Sequence, residues 1–433
     1  MAAVKAPRRI LERRAVGPLP KRDICKYWLA GRCNRNPCRF LHEAMPSSQI
    51  SEHKQSRHHR LQGNQSLSKS KTWRREADSS TGTCSTQPPR KTDTCHNNKS
   101  ICKSSNTVCK YWIDENCVHG DKCEFLHSWS CGKGFSLVTK LGGHKNAITG
   151  ISLPSSLNKL VTVGKDKAMR IWDCNNGQCL SVENFESEVS CLTAEGSFVF
   201  AGIQNTIKGW NTLDQTSINL SCSSDKINVV TVEGDKIFAG TEDDGSILVW
   251  KSNASGYPEI AQPLRGHKSG VVCLRVGVKG SRMFSGSRDN TIRVWDLDTM
   301  ECVETLYGHT SAVMSLICWE TYLLSGSMDG TIKVWACKES GHIEVIHTQE
   351  EGHGVIALGG IHDEEDKAIL LVSCDDSCVR LYDLPSFEER GRLFAKKEVC
   401  AIEVLGSEGI FVTGDATGQL AVWKLDGKPS SLR

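Results

Sequence analysis

An all-β fold built around a seven-bladed propeller is what this sequence predicts, and three observations predict it. The stretch SGSRDNTIRVWD at residues 285–296 returns as SGSMDGTIKVW at 325–335, each copy behind a Gly-His pair, Gly266-His267 and Gly308-His309. A Gly-His, a tight turn holding Asp and a strand ending in Trp-Asp mark one propeller blade. An aromatic placed to end the third strand of a blade recurs at Trp172, Trp210, Trp250, Trp295, Trp335, Tyr382 and Trp423, at separations of 38, 40, 45, 40, 47 and 41 residues. The last unit holds only three strand candidates, 399–404, 410–413 and 419–423, while a spare one, FSLVTKL at 135–141, precedes the first Gly-His. A propeller closes its ring or leaves sheet edges bare. Residues 135–141 are therefore expected to pair with the C-terminal strands, giving a propeller over 135–425.

These units resemble the WD-repeat family. The resemblance implies a hydrogen-bonded set in each strong blade: the Gly-His histidine, a Ser or Thr of the second strand, the turn Asp and the third-strand Trp. The matching positions are His144, Thr162, Asp166 and Trp172 in blade one. They are His267, Ser285, Asp289 and Trp295 in blade four, and His309, Ser325, Asp329 and Trp335 in blade five. A satisfied buried network rigidifies a blade, so these residues read as structural rather than catalytic. Blade six keeps His353 and Asp376 but has Tyr382 for Trp; blades two and three lack Gly-His; blade seven lacks the turn Asp.

Ahead of the propeller the composition changes. Residues 1–134 carry 25 Lys+Arg against 11 Asp+Glu, and residues 135–433 carry 28 against 39. A basic front on an acidic body points to a polyanion at one end and proteins at the other. No apolar run approaches the roughly 18 residues of a membrane span. The N-terminus MAAVKAPRRILERR lacks a secretory apolar segment, so the 21 cysteines are expected in a reducing compartment, as ligands or buried thiols. Basic pairs at Arg8-Arg9, Arg13-Arg14 and Lys21-Arg22 suit nuclear import, placing the protein in the nucleus, with the cytoplasm as a second location.

Residues 1–22 read as a disordered basic tail and residues 23–43 as a metal-folded finger. Cys25, Cys33, Cys38 and His42 are separated by seven, four and three residues. So short a stretch cannot bury a core that offsets its ordering entropy. A closed tetrahedral Cys3His site on Zn²⁺ supplies that folding energy directly. The pattern recurs over 108–128: Cys109, Cys117, Cys123 and His127, with gaps of seven, five and three, the words CKYW and FLH again in place. Two structural Zn²⁺ ions are expected. Between them, residues 44–107 form a Ser-rich basic stretch with almost no apolar periodicity, expected to be disordered. As a coil it separates the fingers by roughly 45 Å. Residues 426–433 are expected to be a disordered end.

The two segments resemble the CCCH zinc-finger family, whose members often bind single-stranded RNA. The resemblance implies stacking of bases on the rings near the first and third cysteines, here Tyr27, Phe40, Tyr111 and Phe125. Stacking faces work beside cations, because phosphates dominate affinity. Finger one supplies them: Lys26, Arg32, Arg35 and Arg39, with no acid between its ligands. Finger two has Lys110 and Lys122 against Asp114, Glu115, Asp121 and Glu124. Finger one is thus expected to carry most nucleic-acid affinity, and finger two to bind weakly or to bind protein. Only residues 128–134 separate His127 from the closing strand, so finger two is expected beside the closing blade.

Together the fingers, linker and repeats resemble the plant zinc-finger and WD-repeat protein family. That resemblance implies a nucleic-acid-binding adaptor, RNA favoured over DNA because a CCCH finger lacks a long recognition helix. The propeller would recruit proteins. The alternative is a pure scaffold, such as a ubiquitin-ligase substrate receptor, with fingers that bind protein. Receptors of one such class show Trp-Asp-x-Arg at a blade end; Trp172-Asp173-Cys174-Asn175 and Trp295-Asp296-Leu297-Asp298 depart from it. No phosphate loop, nucleophile elbow or open metal site appears, so neither an enzyme nor a small-molecule substrate is expected.

Overall fold

The computed structural model describes residues 107–425, apart from 155–157, 215, 223–225, 254–256, 279 and 407–408. Finger one, with Cys25, Lys26, Tyr27, Arg32, Cys33, Arg35, Cys38, Arg39, Phe40 and His42, lies outside the described residues. So do the basic tail, the linker up to residue 106 and residues 426–433.

Seven antiparallel sheets follow one another, six of four strands and one of five. In five of them the strand order tracks the sequence, as short turns between sequential strands dictate, and in the other two an N-terminal strand is added at one edge. The second strand of a blade is covered on both faces by its neighbours. It therefore reads as a continuous run of small and apolar residues, as in Lys236–Thr241 (KIFAGT) and Tyr322–Ser327 (YLLSGS), buried after the first position. The outermost strand has one free face and edge, and Cys179–Asn184 (CLSVEN) is exposed along its length.

The first strand of every blade is bulged near its start, between Ile148 and Gly150, Val189 and Cys191, Ile227 and Val229, Val271 and Cys273, Val313 and Ser315, Val355 and Ala357, and Val399 and Ala401. A bulge increases local twist, which suits the innermost and most crowded position. Each first strand touches those of both neighbouring blades, including Val399–Leu405 with Ile148–Ser152. The ring is closed. Its closing sheet is the expected one: Phe135–Leu141, here called β2, pairs antiparallel with Leu420–Leu425.

Close approach of blades explains the glycine in Ser-Gly-Ser. A Cβ on Gly326 would stand 2.5 Å from Val355 Cγ1 and 3.3 Å from Leu358 Cγ, both in the next blade. Gly326→Ala should destabilise the propeller by about 1–3 kcal/mol through overpacking, read as a lower urea midpoint. An unchanged midpoint would mean that blades five and six part without cost.

The implied networks are present in blades one, four and five. His144 Nδ1 meets Asp166 Oδ1 at 2.8 Å, and its Nε2 meets Thr162 Oγ1 at 2.9 Å. The Trp172 indole N–H donates to the same hydroxyl at 2.8 Å. His267, Ser285, Asp289 and Trp295 repeat this within 2.7–2.9 Å, as do His309, Ser325, Asp329 and Trp335.

Blade six departs. The register places Val372 where blade four has Ser285, so no hydroxyl awaits the ring of His353. His353 stays half exposed, 3.3 Å from Asp375. The interior is filled differently: Tyr382 donates to Glu351 at 2.9 Å, and Arg380 reaches Glu351 at 3.5 Å and Asp376 at 2.6 Å. Burial pushes the Glu351 carboxyl up, against the pull of Tyr382 and Arg380. Blade seven lacks an acid at the usual turn position, but Asp415, two residues earlier, accepts from the Thr417 and Gln419 amides at 2.9 and 3.0 Å. Trp423 donates to Thr413 at 3.0 Å. Blades two and three place Ala201 and Ala239 at the hydroxyl position, though blade three keeps a turn acid, Asp244, which accepts from the Thr241 hydroxyl and the Ser246 amide at 2.9 and 2.8 Å. Among the described residues no helix is long and apolar enough to cross a membrane.

Candidate metal centre and nucleic-acid interface

Finger two is built from single turns. Cys109 precedes a four-residue helix, α1 (Lys110–Ile113), whose Ile113 is its one buried residue. The Cys109 amide donates to the Leu126 carbonyl at 2.9 Å, and the Leu126 amide to the Thr107 carbonyl at 3.0 Å. These two bonds lay the FLH segment against the start of the finger. A 3-10 turn at Gly120–Lys122 then delivers Cys123. One ligand-bearing segment thus meets the other with no sheet and almost no core.

Cys109, Cys117, Cys123 and His127 converge, with one ligand atom from each within 4.8 Å of all the others. Cys109 and Cys123 are 2% and 5% exposed. His127 Nε2 is buried and has no hydrogen-bond partner among the described residues. A buried imidazole nitrogen without a partner costs free energy unless a ligand satisfies it. Three thiols and that lone pair fit Zn²⁺, which takes soft sulfur and imidazole nitrogen in a closed tetrahedron. With four protein ligands the ion would fold the finger and leave no position for a reacting water.

The predicted stacking rings face solvent. Tyr111 is 71% exposed and Phe125 48%, each two residues beyond a ligand cysteine. Trp112, one position on from Tyr111, points the other way. It stacks on His127 with centroids 5.7 Å apart and planes at 13°, and lies 5.0 Å from Trp129. Lys140 of β2 places its ammonium 2.8 Å from the centre of the Trp129 ring. Burial pulls this lysine down to about 8, partly offset by Asp415. The CKYW word therefore divides its two rings, Tyr111 outward and Trp112 toward the propeller.

The spacing between His127 and Phe135 predicts a finger beside the closing blade, and Lys140 of β2 does lie against Trp129, but the strand pairing is made with the neighbouring blade six. Residues Ser130–Gly132 form a strand, β1, that pairs with the outer strand of blade six, Glu388–Phe394, as a fifth strand. The Phe394 amide donates to the Trp129 carbonyl at 2.8 Å. Gly132, at φ +115, faces Gly391, and a Cβ on either would collide with backbone of the opposite strand. Two glycines in register thus permit the graft. Trp129 packs on a core shared by blades six and seven, including Leu381, Leu393, Trp423 and Leu425. A three-residue strand carries too little pattern to be read from sequence. The paired glycines were the available signal.

Residues 107–128 match the CCCH-type zinc finger family, and residues 135–173, 259–296 and 300–336 match the WD domain, G-beta repeat family. Over 93% of its length the chain is 41% identical to zinc finger CCCH domain-containing protein 17 of Oryza sativa subsp. japonica, covering 92% of that protein. It is 44% identical to zinc finger CCCH domain-containing protein 48 of Arabidopsis thaliana, over 93% of this chain and 91% of the relative. Protein 63 of the same name and organism is 42% identical over 95% of this chain and 92% of its own length.

Proposed function

The chain belongs to the plant CCCH zinc-finger and WD-repeat protein family, and from that premise we propose that it is a nucleic-acid-binding adaptor. Each finger is folded on one Zn²⁺; finger one holds single-stranded RNA, and the propeller recruits proteins. The observation that supports the reading is that finger one repeats the ligand spacing and ring positions of finger two, where Tyr111 and Phe125 are left in solvent beside the four converging ligands. A finger this small would bury both rings if packing were their only task. Finger one has rings at the corresponding Tyr27 and Phe40 and adds the cations Lys26, Arg32, Arg35 and Arg39, so it takes the larger share of phosphate contacts. RNA is favoured over DNA because α1, at four residues, is too short to read a major groove. The protein is not an enzyme on this reading. It works in the nucleus, where the basic pairs of residues 1–22 would carry it.

Crosslinking with sequencing tests the proposal on the full chain. Tyr27→Ala with Phe40→Ala should lower recovered RNA about tenfold or more, since each stacked base contributes about 1–3 kcal/mol. Recovery unchanged by loss of both rings would move the affinity to the basic linker. No recovery from the wild type would favour the scaffold.

A further inference from the structure

The exposed apolar surface of finger two does not look like a phosphate site. Tyr111, Phe125 and Val118 are 71%, 48% and 90% exposed, a large apolar share for a module of about twenty residues. In the same short module Asp114, Glu115, Asp121 and Glu124 are all exposed, against Lys110 and Lys122. Three thiolates on one Zn²⁺ add a further negative charge. Behind the finger lies a body of 39 acids against 28 Lys+Arg. Affinity for RNA comes first from cations that neutralise phosphates, and here the surrounding field has the opposite sign. Tyr and Phe faces are attractive to cations, and exposed rings in an acidic rim make such a contact stronger and faster to form.

We infer that the Tyr111–Phe125 surface of finger two is a docking site for a lysine- and arginine-rich segment of a partner protein, and not a second RNA site. The partner's cations lie over the two rings and face the acids of the rim. The inference divides the work of the adaptor and rests on that reading only for the RNA share of finger one. The site also has a set direction. β1 fixes the finger to blade six, and Trp112, Trp129 and Lys140 brace it against β2. A segment bound on the finger is thereby presented at a constant position relative to the propeller, where a free finger would sweep it through solution.

The test uses the full zinc-loaded chain, with fluorescence anisotropy of two labelled probes: a short synthetic peptide of Lys, Arg, Gly and Ser, and a short single-stranded RNA of mixed sequence. Tyr111→Ala with Phe125→Ala should weaken the peptide about tenfold or more and leave RNA binding unchanged. Asp114→Lys with Asp121→Lys should weaken the peptide about as much and strengthen RNA. Neither pair ligates metal, so zinc content equal to the wild type certifies the fold. RNA binding that falls in the ring variant with the peptide unaffected would overturn the inference and make finger two a second RNA site. A ring variant that changes neither probe would overturn it too. Arg35→Glu with Arg39→Glu reports separately on finger one: its RNA binding should fall while the peptide still binds. If it does not, the adaptor reading fails and the docking site stands.

Discussion

Cys123→Ser is expected to abolish the fold of finger two while leaving the seven blades standing. Cys123 is 5% exposed and shares one metal centre with Cys109, Cys117 and His127. The finger has no other source of stability of comparable size. Its only buried hydrophobic side chain outside the ligands is Ile113, worth about 1.5–3 kcal/mol. Structural zinc in small fingers binds with about 10–16 kcal/mol at neutral pH. Losing a ligand should therefore remove one zinc per chain and, in the Co²⁺-substituted protein, one set of thiolate absorption bands. Trp112 and Trp129 should lose their fixed surroundings, seen as loss of near-ultraviolet circular dichroism. The amides of β1 should exchange faster. The cooperative melt of the propeller should persist, because β2 and not β1 closes the ring. Retention of both the zinc and the Co²⁺ bands would remove Cys123 from the metal centre. Loss of the propeller melt would show that the graft on blade six is required for closure.

Asp289→Ala should be the most damaging single change in the propeller that creates no large cavity. The Asp289 carboxylate accepts from His267 Nδ1 at 2.9 Å, from the Lys268 amide at 2.9 Å, and from the Thr291 amide and hydroxyl at 3.0 and 2.6 Å. Alanine takes the acceptor from the Lys268 and Thr291 amides and leaves Nδ1 of the fully buried His267 ring only the Thr291 hydroxyl, at 3.3 Å. Leaving buried hydrogen-bonding groups unsatisfied costs about 1–3 kcal/mol each, enough here to lower the melting temperature by about 10 °C for a domain of this size. The expected pH dependence follows from the same bonds. Burial alone would raise the Asp289 carboxyl, but His267, Thr291 and the Lys268 amide together hold it well below the usual carboxylate range. A depressed carboxyl contributes its full stability above the unfolded value near about 3.9 and loses it as pH falls toward the folded value. The wild type should therefore lose this contribution below about pH 4, and the variant should show a shallower acid limb. Parallel acid limbs in the two proteins would mean that Asp289 is not held as an anion by its neighbours.

The features legible in the sequence have a common character. Cys109, Cys117, Cys123 and His127 lie within one short segment, so their spacing alone brings them round a metal. The aromatics from Trp172 to Trp423 repeat at the blade period, so each declares its strand by comparison with the others. The closing role of residues 135–141 followed from counting, because a ring admits no unpaired strand. Where blades one, four and five carry the full set of His, Ser or Thr, Asp and Trp, the hydrogen bonds form between the expected atoms.

What escaped reading was one residue out of place, or one contact far along the chain. Val372 in place of a hydroxyl turned His353 outward and brought Glu351, Arg380 and Tyr382 together. Asp415 took a turn that its position in the repeat did not assign to it. Tyr111 and Trp112 are adjacent rings in one word of sequence, yet one faces water and the other braces a zinc ligand against the propeller.

The sequence by itself determined the ring of seven, its closure and the ligands of the metal centre, because period and spacing act locally and repeat. Only the tertiary structure decided that the strand after finger two pairs with blade six while Trp129 rests on blades six and seven, and which face of the finger is left for a partner. Those outcomes rest on a three-residue strand, two facing glycines and an indole shared between distant segments. Such contacts have no periodicity, and their energy exists only once the two surfaces have met.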